Sequence, residues 1–255
     1  MTLPASLPPG YRLTAFDTIG STNDEAKRLA AEGVAEGAVV WATTQTKGRG
    51  RQDRSWRSPP GNLYCSILLR PAKAAPALAT LGFVAALAAA EAIEALAPAT
   101  QVTLKWPNDI LIQECKVAGI LLEAGGNGAW LVIGCGINLA HFPEDTPFPA
   151  TSVVAARGVT VSASDALGVF CHRLDGWHRR WRDQGFEPIR QAWLARAHPK
   201  GTRLSVHLPS ATVDGTFREL DRDGTLLLDG EDGALHRIAA GDVYFALPTT
   251  KVSST

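Results

Sequence analysis

Residues 102–140 read VTLKWPNDILIQECKVAGILLEAGGNGAWLVIGCGINLA, and this stretch decides the fold class. It contains four apolar runs that are separated by short polar or glycine-rich breaks. The breaks ECK and GGNG are short enough for hairpins, and the second is rich in residues that tolerate positive φ. We therefore predict an α+β protein on a mixed or antiparallel sheet, with strands at residues 102–106, 109–113, 116–124 and 130–139.

The chain before this stretch alternates strand-like and helix-like segments. A helix is predicted from STNDEAKRLAAEG, with Thr22 at its cap and Glu25 three residues further on, as in a capping box. Residues 76–96 are rich in Ala and Leu, which predicts one long helix packed on the sheet. Three apolar runs of β-type composition complete this part, at residues 11–19, 38–44 and 62–71.

The chain after this stretch changes character twice. A Pro-rich loop at 142–149 is followed by a segment at 163–197 whose apolar residues repeat along one side of a helix. Beyond HPKG the chain breaks into five short β-type runs with Gly/Asp turns, which predicts a small β-barrel. We therefore expect a main domain at residues 1–199, a C-terminal barrel at 200–248 and a polar tail at 249–255.

Composition limits the classes of function. The chain has 255 residues, 45% of them apolar, and its 25 basic and 25 acidic side chains cancel. A neutral protein has no overall positive field to attract DNA or an anionic membrane, so neither partner is expected. The N-terminus lacks the pattern of a signal or transit peptide. The spacing of Cys65, Cys115, Cys135 and Cys171 suits neither zinc nor a disulfide framework, which favours reduced thiols in the cytoplasm.

Against this neutral background, TKGRGRQDRSW at 46–56 is a locally basic loop. Glycines at 48 and 50 let the backbone approach an anion, and arginine forks bind phosphate or carboxylate oxygens in pairs. The stretch lacks the third glycine of a dinucleotide fingerprint and the Gly-Lys-Ser/Thr of a P-loop. A site for a small anion and a plain solvated loop therefore both remain open at this point.

A second polar group follows the strand at 102–106. LKWPND brings an ammonium, a flat aromatic surface, an amide and a carboxylate to one strand end. Lys116 is the first residue of the strand predicted at 116–124. A lysine at such a position is more often an edge residue with its charge in water. GCGINL is a weak signal, because a lone G-x-G often marks close packing.

Six motifs together resemble the biotin protein ligases. They are STNDEA, TTQTKGRGRQDRSW, GNLYCSILLRP, LKWPNDILI, KVAGILLE and VIGCGINL, in that order, and the resemblance covers about residues 11–247. It implies a class II synthetase-like catalytic domain at 1–199 and an SH3-like barrel at 200–248. It also implies the joining of biotin to ATP, giving biotinyl-5′-AMP, and transfer of biotin to one lysine of a biotin carboxyl carrier domain.

The same resemblance implies roles for individual residues. The biotin site would contain Ser21, Thr22, Asn23, Gln45, Gly48, Arg49, Gly50, Arg51, Lys116 and Gly119. The nucleotide site would contain Arg51, Arg54, Trp56, Lys105, Asn108, Asp109, Lys116 and Asn138. Lys116, Arg51 and Asp109 would take part in catalysis, with Asp109 as the partner of Mg²⁺ or of a phosphate-binding cation. For Trp56 and Trp106 a core position remains the alternative.

Two departures from the family pattern modify these expectations. Asp53 stands where many relatives have Gly, which could alter loop closure. Only about ten residues precede the first strand, too few for a helix-turn-helix, so we expect a ligase without repressor activity.

Some expectations remain open. Two rivals are a lipoate or octanoate ligase and a biotin-binding protein that has lost adenylation. The protein could be a monomer or a homodimer. We expect the basic loop to be mobile without ligand, and the barrel to complete the nucleotide pocket or dock the carrier.

Overall fold

A computed structural model describes residues 6–71 and 75–245, except for the side chains of Asp53, Ala75 and Pro76. The main sheet comprises β1 (Arg12–Ile19), β2 (Ala38–Gln45), β3 (Leu63–Leu69), β4 (Val102–Lys105), β5 (Asp109–Ile112), β6 (Cys115–Gly125) and β7 (Trp130–Ile137). The helices are α1 (Thr22–Ala31), α2 (Ala75–Leu78), α3 (Leu81–Leu96), α4 (Val153–Arg157), α5 (Ala163–Gln184) and α6 (Glu187–Leu194). A second sheet comprises β8 (Arg203–His207), β9 (Thr212–Leu220), β10 (Leu226–Gly230), β11 (Leu235–Ile238) and β12 (Asp242–Phe245).

The seven-stranded sheet confirms the predicted α+β class. Its strand order is β1-β2-β3-β7-β6-β5-β4, and β4 to β7 form the antiparallel meander that the opening stretch predicts. At the other edge β1 and β2 are parallel and are joined through α1, so the sheet is mixed. Because parallel strands end at the same edge of a sheet, the end of β2 lies beside the end of β1 and hence beside the start of α1.

The capping residue of α1 is Ser21, so the prediction of Thr22 is wrong. The Ser21 Oγ accepts from the Asp24 backbone N–H at 3.4 Å, at the weak end of the range for such a bond. The Thr22 hydroxyl is turned away from this role, because it donates to the Gln45 Oε1 at 3.1 Å. The predicted partner Glu25 forms an ion pair with Arg28 instead of returning to the cap.

Two predicted long helices are each broken in two. The segment predicted at 76–96 divides into α2 and α3, and the Thr80 hydroxyl at the break donates to the Ala77 carbonyl at 2.6 Å. The segment predicted at 163–197 divides into α5 and α6 at Gly185, whose φ of 77° does not continue a helix. Helix α4 was not predicted, because five residues are too few to show a period.

The two faces of the main sheet have different coverings. Helix α3 is buried along most of its length between one face and α5, because its small and aliphatic side chains can pack on every side. The opposite face carries a smaller apolar cluster, in which Ala26 and Ala30 of α1 pack with Val40, Leu68 and Val132. Beyond this cluster the second face stays polar, and this is where the cleft described below lies.

The second sheet has the order β11-β10-β9-β8-β12, is antiparallel throughout and fits the expected SH3-like fold. It shares the large hydrophobic core of the main domain through residues such as Phe217 and Leu220. Trp106 is a core residue at this junction, buried, with its indole N–H donating to the Gly224 carbonyl at 3.0 Å. The end of the fifth predicted barrel run, at 246–247, and the tail at 249–255 lie outside the described residues.

Two further observations concern the cysteines and the length of the helices. All four cysteines carry free thiols, and three of them are buried. No helix within residues 6–71 and 75–245 is long and apolar enough to cross a membrane.

Candidate active site

A cleft of about 360 Å³ lies on the second face of the main sheet, between α1, the basic loop and the edge of the C-terminal sheet. Such a volume lies in the usual range for a small-molecule site. Its floor is formed where β6 and β7 pair, with Gly119 opposite Gly136. A Cβ at position 136 would lie 2.7 Å from the Trp56 ring, so the glycines make room for that ring.

One end of the cleft is built from a continuous hydrogen-bond network at the mouth of α1. The backbone N–H of Thr22 donates to the Gln45 Oε1 at 2.8 Å, and the Thr22 hydroxyl lies at 3.1 Å from the same oxygen. The Gln45 Nε2 donates to the Ser58 Oγ at 3.0 Å, which fixes the orientation of the amide. A Cβ at Gly48 would collide with the Trp56 carbonyl oxygen and lie 2.7 Å from that Oγ, so this position requires glycine for close approach of the loop.

The network continues below the cleft floor. Ser66 is fully buried, with its Oγ 2.7 Å from the Thr22 hydroxyl and 2.5 Å from the Asn23 Oδ1. The Asn23 Nδ2 donates to the Glu123 carboxylate at 2.8 Å. All of these polar groups therefore have partners, as buried groups require.

The centre of the cleft contains one carboxylate between two ammonium groups. The Asp109 Oδ2 lies 3.1 Å from the Lys105 Nζ, and its Oδ1 forms a shorter ion pair with the Lys116 Nζ. Lys105 is almost completely buried, and its Nζ lies 3.6 Å from the centre of the Phe148 ring and donates to the Val243 carbonyl at 3.0 Å. The cluster therefore carries one net positive charge, in a position protected from solvent.

Burial and charge act in opposite directions on these groups. Burial alone would raise the pKa of Asp109, but the adjacent Lys116 and Lys105 outweigh it and hold the pKa below its ordinary value. Burial lowers the pKa of Lys105, and Asp109 opposes that shift only in part. Burial likewise lowers the pKa of Arg51, against the attraction of Asp242 and Asp109.

The arginines of the basic loop are held by different partners. The Arg49 Nη2 contacts the Asp24 Oδ1 at 2.6 Å and the Glu123 carboxylate at 3.1 Å. Arg51 donates to the Asn108 Oδ1 and to the Gly241 carbonyl, each at 3.3 Å, and Arg54 forms an ion pair with Asp242 at 2.7 Å. The loop therefore bridges α1, β6 and the C-terminal sheet.

The remaining candidates are Asn108, Asn138 and Trp56. The Asn108 Nδ2 donates to the Ile120 carbonyl at 2.7 Å, and the buried Asn138 donates to the Thr151 carbonyl at 3.1 Å. The Trp56 ring lies in the cleft, with its centroid 5.5 Å from the Lys116 Nζ and with a buried indole N–H that has no protein partner. Trp56 is therefore a cleft residue, whereas Trp106 borders the cleft but lies mainly in the core.

The structure brings nearly all the candidates together. Fifteen line one cleft: Ser21, Thr22, Asn23, Gln45, Arg49, Gly50, Arg51, Arg54, Trp56, Lys105, Asn108, Asp109, Lys116, Gly119 and Asn138. Gly48 is the exception: it belongs to the loop but does not line the cleft, and its missing side chain makes room for Trp56 and Ser58. Sequence reasoning missed the supporting residues Ser58, Ser66 and Glu123 and the cleft residues Phe148 and Asp242. Ser66 and Glu123 lie within two of the six motifs, but a motif does not show which distant side chains its members contact.

The donor set at Asp109 does not fit a resident magnesium ion. Both carboxylate oxygens already face ammonium groups, which compete with any cation for the same lone pairs. Among the residues that the structure describes, no group of three or more His, Cys, Asp or Glu is placed to hold a metal. The arrangement favours the other expected role of Asp109, as the partner of phosphate-binding cations.

Comparison with known proteins agrees with this geometry. The biotin/lipoate A/B protein ligase family matches residues 15–138, and the biotin protein ligase C-terminal domain matches residues 205–246. A biotin–[acetyl-CoA-carboxylase] ligase of Paracoccus denitrificans is 40% identical over 234 residues, which are 88% of this chain and 97% of that protein.

Two solved structures share the fold. A biotin protein ligase from Aquifex aeolicus in complex with biotin and ATP has a TM-score of 0.79 at 28% identity, over 92% of this chain and 98% of its own. One from Leishmania major in complex with biotinyl-5-AMP has a TM-score of 0.62 at 28% identity, over 91% of this chain and 100% of its own.

The mixed sheet, its cation-lined cleft and the SH3-like partner domain define a carboxylate-activating type of ligase. With these matches, the chain belongs to the biotin/lipoate A/B protein ligase family, and within it to the biotin protein ligases.

Proposed function

We propose that this protein joins biotin to ATP, forming biotinyl-5′-AMP and pyrophosphate, and then transfers biotin to a lysine of a biotin carboxyl carrier domain. The observation that carries the proposal is the Lys116 ammonium beside Asp109 in the cleft. The polar network lies at one end of this cleft, and the basic loop lies above it. The Paracoccus, Aquifex and Leishmania relatives support biotin and ATP as the substrates.

In the first half-reaction a biotin carboxylate oxygen attacks the α-phosphorus of ATP, and the bond to pyrophosphate breaks. Two anions must approach each other, so fixed cations that face the reacting oxygens lower the barrier. Lys116 and Arg51 would bind those oxygens, and Asp109 would hold the Lys116 ammonium in place. Because the side chains of Lys116 and Arg51 are only 26% and 22% exposed, each donor contributes more than it would at a fully exposed surface.

In the second half-reaction the uncharged amine of the carrier lysine attacks the acyl carbon of biotinyl-5′-AMP. A C–N bond forms, the bond to AMP breaks, and the amine proton is released. AMP is a good leaving group, so placement and protection from water matter more than a strong base. The chain therefore needs no nucleophile of its own.

We assign the two substrates to the two ends of the cleft. Biotin would lie at the α1 end, with its ring near Ser21, Thr22, Asn23 and Gln45, its tail over Gly119 and the loop residues Gly48 to Arg51 above it. The nucleotide would lie towards the C-terminal sheet, bound by Arg51, Arg54, Trp56, Lys105, Asn108, Lys116 and Asn138. We also propose a domain division near residue 199 and action in the cytoplasm. A need for Mg²⁺, entering with the ATP and not held by Asp109, is a further proposal that activity with and without EDTA would test.

Biotin-dependent ATP–pyrophosphate exchange tests the proposal. The protein should exchange label with biotin, and far more slowly with lipoate or octanoate at equal concentration. Faster exchange with lipoate or octanoate would instead support a ligase of the related type. Biotin binding without any exchange would identify a binding protein that has lost adenylation.

A further inference from the structure

The polar network below the cleft ends on a carboxylate that the proposed function does not use. Glu123 lies on β6, with its side chain 24% exposed. Its Oε2 accepts from the Asn23 Nδ2 at 2.8 Å, and its Oε1 accepts from the Lys27 Nζ at 2.8 Å. The Arg49 Nη2 lies 3.2 Å and 3.1 Å from the two oxygens. One carboxylate thus joins α1, β6 and the basic loop.

The first consequence concerns the orientation of Asn23. An amide has a donor end and an acceptor end, and only its partners decide which way it points. The Asn23 Oδ1 faces the Ser66 hydroxyl at 2.5 Å, whereas its Nδ2 faces a carboxylate that can only accept. The amide also rests on Gly134, where a Cβ would collide with the Asn23 side chain. Glu123 therefore fixes the direction in which this amide presents its atoms.

The second consequence concerns the attachment of the loop. Arg49 has two acidic partners, and the Asp24 side chain is 51% exposed whereas that of Glu123 is 24% exposed. Solvent screens an exposed ion pair more strongly, so Glu123 is the more durable of the two attachments. Lys27 contacts both acids as well, which keeps the small cluster close to neutral.

We propose that Glu123 is a positioning residue for biotin, which fixes Asn23 and at the same time fastens the basic loop over the biotin end of the cleft. Closure of the loop and orientation of the Asn23 amide depend on the same carboxylate, so removal of the Glu123 carboxylate disturbs both. The contact between Glu123 and the loop stands on geometry alone. Only the identity of the ligand rests on the proposed function.

Two substitutions separate the two tasks. Glu123→Gln keeps an acceptor for Asn23 but removes the charge that faces Arg49 and Lys27. Glu123→Ala removes both the acceptor for Asn23 and the charge. Glu94→Gln is a matched control, because Glu94 is 29% exposed, pairs with Arg196 and does not line the cleft.

Limited trypsin digestion of the ligand-free full-length protein measures the attachment of the loop. Cleavage after Arg49 should be about threefold faster in both Glu123 variants than in the wild type and unchanged in Glu94→Gln. Calorimetric titration of biotin measures the second task, which is the orientation of Asn23 for biotin binding. The Kd for biotin should rise about tenfold or more in Glu123→Ala and less in Glu123→Gln, while the KM for ATP changes less than twofold.

Wild-type cleavage and wild-type biotin affinity in Glu123→Ala would overturn the inference. So would equal rises in the biotin Kd and the ATP KM, which would indicate general damage to the cleft. If Glu123→Ala does not fold, the cleavage rate of Glu123→Gln decides. If the wild-type protein itself does not bind biotin, the proposed function fails, and the cleavage comparison still decides the role of Glu123 in holding the loop.

Discussion

At the scale of single residues, the backbone of Lys116 has a structural role and its side chain has a functional one. Its backbone N–H donates to the Pro149 carbonyl at 2.7 Å, and its carbonyl accepts from the Thr151 N–H at 2.9 Å. Its ammonium lies in the cleft beside Asp109, with the side chain 26% exposed. Truncating the side chain therefore removes charge from the cleft but leaves both backbone hydrogen bonds.

We predict that Lys116→Ala slows the formation of biotinyl-5′-AMP by about 100-fold or more while the fold survives, because a fixed donor to the reacting oxygens is lost. The measurement is a single-turnover rate, with circular dichroism to check folding. The control is Lys200→Ala, whose side chain is exposed and lies outside the cleft. A rate within threefold of the wild type would reject the role of Lys116.

Asp109 supports a different prediction, on stability. In Asp109→Asn two ammonium groups face each other, one of them almost buried, so the free energy of unfolding should fall by about 2–4 kcal/mol near pH 7. The pKa of Lys105 is already lowered by burial and would fall further without the Asp109 carboxylate. The unfolded chain then binds more protons than the folded one, so stability should rise with pH above 7 more steeply than in the wild type.

Urea unfolding between pH 7 and pH 9 measures this effect. Asp175→Asn serves as a control, since Asp175 pairs with the exposed Arg179. Equal stability of Asp109→Asn and the wild type, or a stability that falls as pH rises, would contradict the account of the cluster.

At the scale of an element, the basic loop is attached mainly by partly exposed ion pairs. Arg49 and Arg54 are 33% and 53% exposed, and pairs of this kind contribute only about 0–1 kcal/mol each. The glycines at 48 and 50 add chain entropy that closure must overcome. The expected pairing of Asp53 with Arg51 or Arg54 stays untested, since the Asp53 side chain lies outside the described residues.

We therefore predict that the loop opens often in the free protein and is held closed by biotin with ATP, whose negative charges offset the repulsion among its cations. Trypsin should cut rapidly after Lys47, Arg49, Arg51 and Arg54 without ligand, and slowly with both ligands, as followed by mass spectrometry. Cleavage elsewhere in the chain provides the internal control. The same resistance with and without ligands would mean that the loop is already fixed.

At the scale of the whole molecule, the C-terminal sheet completes the nucleotide end of the cleft. It supplies backbone carbonyls to Lys105, Trp106 and Arg51, and its Asp242 pairs with Arg54. The α1 end receives no residue from this sheet, since its network comes from α1, β2, β3, β6 and the loop. The two ends of the cleft therefore depend on different parts of the chain.

We predict that a chain ending at residue 200 still binds biotin but has a raised KM for ATP and a lower free energy of unfolding. The loss of stability follows because Lys105 and Trp106 would lose buried acceptors and apolar surface would be uncovered. Titration with each substrate and urea unfolding provide the measurements. Loss of biotin binding in a truncated chain that still unfolds cooperatively would contradict the separation of the two ends.

Much of the architecture follows from the sequence alone. Alternating apolar runs and turn residues between 102 and 140 specify an antiparallel meander, because strand period and hairpin chemistry are local properties. The motifs around Arg51, Asp109 and Lys116 likewise identify the cleft residues, because each motif places several chemical groups within a few positions. Breaks such as the one at Thr80 escaped prediction, since the indole N–H of Trp181 that contacts its hydroxyl is 101 positions away.

Only the tertiary structure decided which partners hold those groups in place. Asn23 and Glu123 are 100 positions apart, and Arg51 and Gly241 are 190 apart, and no pattern within either segment links them. Glu123 in particular looks like an ordinary strand glutamate until the crossover through α1 brings Asn23 and Arg49 against it. Local sequence sets the period and chemistry of each element, whereas the meeting of distant side chains depends on how the elements pack.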